Sequence, residues 1–143
     1  MTANIIRIVV LLYMDSEGKV LLVRKRGTAM FMLPGGKPDE GESELACLER
    51  EIYEELNSRI EPESLRRIGT FTDKAANEPD TQVEAVVFEG RLTNQAVPSA
   101  EIEEVLWHFP MNEHSNIAPL VRNQILPLLT TGRSGHGSAM PLR

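Results

Sequence analysis

The stretch GKPDEGESELACLEREIYEELNS, residues 36–58, decides how this chain folds, because a helical period and a crowd of acids share it. At about 3.6 residues per turn, Leu45, Leu48, Ile52 and Leu56 fall on one stripe that is expected to face a core. Glu51 and Glu55 are four positions apart, and Glu54 lies beside them, about a third of the way round from that stripe. Like charges at this spacing destabilise a helix by roughly 0.2–0.5 kcal/mol per pair, and Arg50, four before Glu54, is the only local relief. A divalent cation turns the repulsion into coordination. Magnesium suits such a site because it takes oxygen ligands, keeps several waters and is shared between one or two carboxylates and substrate phosphates; manganese is the alternative. The competing reading is a solvated acidic face, which is what most charge runs are.

The flanking residues favour the site over the solvated face. Leu33-Pro34-Gly35-Gly36 ends a strand-like run and opens a loop in which paired glycines let the backbone turn sharply or approach a ligand closely. Ser43 sits where an N-cap hydroxyl belongs. A loop with exposed backbone groups is thereby delivered against the acidic side of a capped helix.

Further out, residues 5–14 are almost wholly apolar, too short to span a bilayer and β-branched enough to form a buried strand. They lack the basic leader and small-residue cleavage site of a targeting segment. Ile5, Arg7, Val9, Leu11 and Tyr13 share one face, with Arg7 expected to reach solvent. Asp15-Ser16-Glu17-Gly18 forms a turn into a second strand over residues 19–24, so the pair is expected to be a hairpin. Strands are expected at 65–72, 82–92 and 101–109, separated by Pro-bearing loops. A last helix is expected over 117–129, capped by Ser115 or Asn116, carrying Pro119 in its first turn and ended or frayed at Pro127. Strand pair, helix, several strands and helix make an α/β chain with a mixed sheet layered by helices. One domain over residues 1–131 suffices, and the Gly- and Ser-rich residues 132–143 are expected to be a mobile tail.

The 143 residues can bury roughly two thirds of the surface the unfolded chain exposes. A formal net charge of −6 argues against broad binding to nucleic acid or anionic membranes, so an anionic substrate has to be met by local cations. The single cysteine, Cys47, excludes an intrachain disulfide and suits a reducing cytoplasm; lacking an obvious partner, it is expected to pack rather than react. The sequence is compatible with a homodimer.

From Gly36 the count runs five residues, Glu42, seven residues, then Arg50-Glu51-Ile52-Tyr53-Glu54-Glu55, which resembles the signature box of the Nudix hydrolases. That family cleaves a diphosphate linked to some other group, and the resemblance implies an α/β/α sandwich followed with decreasing force over residues 5–129. It implies that Gly35 lends a carbonyl oxygen and Glu51, Glu54 and Glu55 their carboxylates to the metal, while Arg50 and Glu42 orient the catalytic carboxylates. One of Glu51, Glu54 and Glu55 could double as the general base; in some members the base instead comes from a later loop, where Glu101 is the candidate and a strand-start charge the plainer reading. Two positions depart from the pattern: Asn57 stands where the family has Gly, and Ser58 where it has an aliphatic residue. Asn tolerates the left-handed cap, whereas Ser58 costs the helix end an apolar anchor.

Residues 31–37, FMLPGGK, resemble the MutT-type nucleoside triphosphate pyrophosphohydrolases. Arg24, Lys25, Arg26 and Lys37 are the cations near the phosphates, Phe31 and Phe71 could stack a base, and Asn116 falls near a base-reading asparagine. Each has a plainer reading: a solvated charge, core packing, an N-cap. The implied activity is magnesium-dependent cleavage of a nucleoside diphosphate-linked or triphosphate compound. ADP-ribose or a nucleotide sugar is the alternative substrate, and a nucleotide sensor that does not cleave is the alternative class.

Overall fold

The computed structural model describes residues 4–76 and 78–130. The expected tail over residues 132–143 lies outside the described residues. In chain order the elements are β1 (Asn4–Leu12), β2 (Val20–Lys25), β3 (Gly35–Gly36), α1 (Glu44–Leu56), β4 (Arg66–Lys74), β5 (Thr81–Glu89), β6 (Ile102–His108) and α2 (Leu126–Thr130). A 3-10 turn over Pro62–Ser64 precedes β4, and a π-helical turn over Val121–Ile125 leads into α2.

β1 is the hub. It pairs in parallel with β5 from Asn4↔Thr81 to Leu12↔Glu89, and on its other edge Val9 and Val10 pair antiparallel with β3. With β4 antiparallel to β5, the mixed sheet has the order β3-β1-β5-β4, and β2 and β6 form a separate antiparallel pair. Because side chains alternate along a strand, Val10 and Leu12 join one core cluster with Ala85, Ile125 and Leu129. Val9 and Leu11 join another with Leu48, Ile52, Leu56 and Phe88. A helix on each side covers both faces, which is why β1 is apolar throughout. Arg7, near the strand's exposed start, pairs with Glu84 at 3.2 Å.

The hairpin expected between β1 and β2 is confined to its turn. Asp15 donates to the Lys19 carbonyl at 2.9 Å and Leu21 to that of Tyr13 at 3.0 Å, after which the strands part. Both edges of β1 are taken, by β5 and β3, so β2 pairs with β6 instead.

Helix α1 has the expected caps: the Ser43 hydroxyl oxygen accepts from the Ala46 amide at 3.1 Å, and Asn57 adopts the left-handed conformation with φ 53. Ser58 is buried and not idle, since its hydroxyl lies 2.7 Å from Asn94 Oδ1, tying the helix end to the loop before β6. Leu45 does not join the core. It has the right angle for the stripe but stands in the first turn, 46% exposed, while the buried length begins at Cys47. Pro127 does not end the last helix either. It removes one backbone donor, and just ahead of it the Leu126 amide bonds to the carbonyl of Val121 in a widened turn, letting the helix run on to Thr130. Among the described residues no helix is long and apolar enough to cross a membrane.

Candidate active site

The loop between β2 and α1 wedges its glycine pair between a strand and a helix. Gly35 has φ 147, and a side chain there would collide with the backbone of Val9 and Val10; one at Gly36 would collide with the Glu51 carboxylate. The amide of Gly35 donates to Glu55 Oε1 at 3.1 Å, and the thiol of Cys47 lies 3.5 Å from the Gly36 carbonyl. Burial pushes the Cys47 thiol up to about 11, which suits packing and not nucleophilic attack.

Beside this contact opens a cleft of about 380 Å³. Gly35, Gly36, Glu51, Glu54 and Glu55 form one end, with Lys25, Lys37 and Glu101 alongside. Since Gly35 pairs with Val10, the charged end sits at Val10, and the wall continues down the even-numbered face of β1 through Ile8 to Ile6. That distance is about 13 Å at the strand rise.

Glu55 is only 5% exposed and Glu51 is half-buried. Burial pushes the Glu55 carboxyl up to about 8; the Gly35 amide opposes this, and the charge of Glu51 adds to it. Burial also raises Glu51, against hydrogen bonding from Arg50. Arg50 is the organiser: its Nε and Nη2 each lie 2.8 Å from a Glu42 oxygen, its Nη1 3.0 Å from Glu51, and its Nη2 3.0 Å from the Lys37 carbonyl. Glu54 Oε1 is 3.6 Å from the same guanidinium. These hydrogen bonds pull Glu42 down to about 2 and raise Arg50, so both stay ionised. Among the described residues no three carboxylate, imidazole or thiolate groups converge closely enough to cage an ion by themselves. The buried Glu55 and the half-buried Glu51 are both destabilised in their charged form, an arrangement that a divalent cation would relieve.

Other sequence candidates are placed away from the cleft. Arg24 forks onto Glu104 at 2.9 and 3.1 Å, and Arg26 bonds Glu103 at 3.2 Å, so β6 occupies both. Phe31 is 5% exposed, packed in the core edge-on to His114. Phe71 packs against the same core. Asn116 is exposed, and its carbonyl accepts from the Phe31 amide at 2.7 Å. None of the five lines the cleft, whereas Lys37 does. Sequence reasoning missed Ile6 and Ile8, whose signal is the alternation of β1, and Val83 and Lys74, which the pairing of β5 with β1 and of β4 with β5 brings to the same cleft.

The family model described as NUDIX domain matches residues 4–129. The chain belongs to the Nudix family of hydrolases, enzymes that cut phosphoanhydride bonds. Its fold is similar to that of a MutT Nudix hydrolase from Burkholderia pseudomallei, with a TM-score of 0.73 and 19% identity over 90% of this chain and 99% of that one. A MutT protein from Methanosarcina mazei Go1 is similar at TM-score 0.70 and 21% identity, covering 90% and 95%. An ADP-ribose pyrophosphatase from Streptococcus suis is similar at 0.65 and 24%, covering 91% and 93%.

Proposed function

We propose that the chain is a magnesium-dependent pyrophosphohydrolase, manganese substituting, that cleaves a nucleoside triphosphate or a nucleoside diphosphate linked to another group. The observation that carries this reading is Glu55, a buried carboxylate held by the Gly35 amide at 3.1 Å next to Glu51. Glu51, Glu54 and Glu55, with the carbonyl of Gly35, are the residues to hold the cation. When bound, it supplies positive charge opposite the diphosphate and a lowered pKa for water in its shell.

The side chains do the rest. Arg50, clamped by Glu42, fixes the direction of Glu51 and limits the mutual repulsion of the acids. Lys25 and Lys37 line the cleft beside them as partners for phosphate oxygens. Glu101 lines it too, close enough for its charge to raise Glu55, and is the proton acceptor we assign to the attacking water. A positioned base contributes about 10²–10⁴-fold, so most of the acceleration rests on charge stabilisation.

Purified protein is to be assayed against deoxynucleoside triphosphates, oxidised dGTP, ADP-ribose and dinucleotides, with and without magnesium. Cation-dependent release of a phosphorylated product, lost in the Glu54→Gln, Glu55→Gln double variant, is the expected result. Full turnover by that variant overturns the site, and binding without cleavage across the panel leaves a nucleotide sensor.

A further inference from the structure

We infer that the cleft recognises the organic group attached to the diphosphate by apolar contact and shape, without reading the hydrogen-bonding edge of a base. This rests on the proposed hydrolase reading and narrows its substrate. Among the described residues lining the cleft there is no aromatic ring, hydroxyl, side-chain amide or imidazole; every polar side chain is a lysine or a glutamate. Away from the charged end the wall is Ile6, Ile8, Met32, Val83, Ala118 and Val121.

Five of the lining backbone amides are already committed. The amides of Val23, Met32, Ala75 and Ala118 are given to protein carbonyls at 2.8–2.9 Å, and that of Gly35 to Glu55. Among the described side-chain amides, Asn123 and Gln124 both donate to Asp73 Oδ2, and Asn116 does not line the cleft. Phe31 is buried in the core and the partly buried Phe71 packs against it, and neither ring lines the cleft. Lys74 and Glu78 stand at the far end as charges and not as matched donor–acceptor pairs.

A site built to hydrogen-bond its substrate rejects an analogue lacking the group by about 10⁴–10⁵, whereas an apolar pocket discriminates by only about 10². The test is steady-state hydrolysis of GTP, ITP, ATP and purine riboside triphosphate, which share the reacting phosphates and differ in exocyclic groups, together with butyl, hexyl and octyl diphosphate. Removing exocyclic groups is expected to change kcat/KM by less than about 10-fold, within the apolar limit. Each added methylene is expected to lower KM by about 4-fold until the wall is filled. Ile8→Ala is expected to raise KM for the longer alkyl compounds by at least about 4-fold, the worth of one buried methylene, and to leave the ranking of bases unchanged. A preference above about 10-fold for one base, or a KM that does not fall along the alkyl series, with hydrolysis observed, overturns the inference and leaves the hydrolase reading standing. If nothing is cleaved with either cation, the hydrolase reading falls, and calorimetric affinities for the same series decide the inference: a rise with apolar size supports it, and a flat series or no binding overturns it.

Discussion

Helix α1 runs unbroken for 13 residues between the Ser43 and Asn57 caps, whereas the C-terminal helix reaches Thr130 only by widening into a π turn over Val121–Ile125. Both cover β1, one on each face. The first buries a carboxylate, which costs free energy that only fixed hydrogen bonds offset. The second buries Val121, Ile125, Leu126 and Leu129, for which a shifted turn costs little so long as the apolar volume is filled. Rigidity is concentrated where charge is held, and tolerance where only shape is required.

Replacing Glu55 with Gln strikes hardest at this contrast. Turnover is expected to fall roughly 10²–10⁴-fold, while the melting temperature of the metal-free protein stays level at neutral pH and rises above about pH 8, where Gln keeps an acceptor for the Gly35 amide without the buried charge. Parallel loss of activity and stability would make Glu55 a structural residue. Next comes Glu49→Pro, an exposed position in the middle of α1. It is expected to cost about 3 kcal/mol by denaturant titration, with no π turn to absorb it.

How far this was legible in the sequence follows the same division. The placing of Glu51, Glu54 and Glu55 on one side of α1, where they line the cleft, and both caps of that helix could be read because helical period, capping chemistry and acid spacing are all local. The pairing of β2 with β6 could not, because a turn signal at Asp15–Gly18 says nothing of which edges of β1 are already filled. Arg24 and Arg26 looked like phosphate ligands from proximity in the chain, yet their partners Glu104 and Glu103 are about 80 positions away. Leu45 shows that angle on a helix does not reveal where along its length packing begins.

Arg50→Lys probes how much of α1's advantage comes from one planar side chain. Lysine keeps the charge but not the fork that joins Glu42, Glu51 and the Lys37 carbonyl. Activity is expected to fall about 10–100-fold, the usual cost of losing a group that orients catalytic ligands. A change below about 3-fold would show that charge alone suffices.

Titration separates the two helices without mutation. The carboxyl of Glu55 stands at about 8 in the fold against an ordinary value of 4.5. Between these values the native state therefore holds a proton that the unfolded chain releases. This group's contribution to stability declines as pH rises from 4.5 to about 8, by at most about 1.4 kcal/mol per pH unit. Magnesium, competing with that proton, is expected to raise the melting temperature more at pH 8.5 than at pH 6. The dependence should shrink in Glu55→Gln to what the raised Glu51 carboxyl supplies; an undiminished dependence would assign it to another group.

Pro127→Ala is expected to have the smallest effect, although proline within a helix is ordinarily among the most damaging residues. The substitution restores a backbone donor, which favours the helix, and it also frees the unfolded chain, which disfavours folding by about 0.4–1 kcal/mol. The π turn has already taken up the ring's clash and the missing bond, since the Leu126 amide reaches Val121 instead of the residue four back. The two terms nearly cancel, leaving a stability change within about 0.5 kcal/mol and an unaltered KM. A gain near 3 kcal/mol would mean that the turn relieves nothing and that the C-terminal helix is as intolerant of distortion as α1.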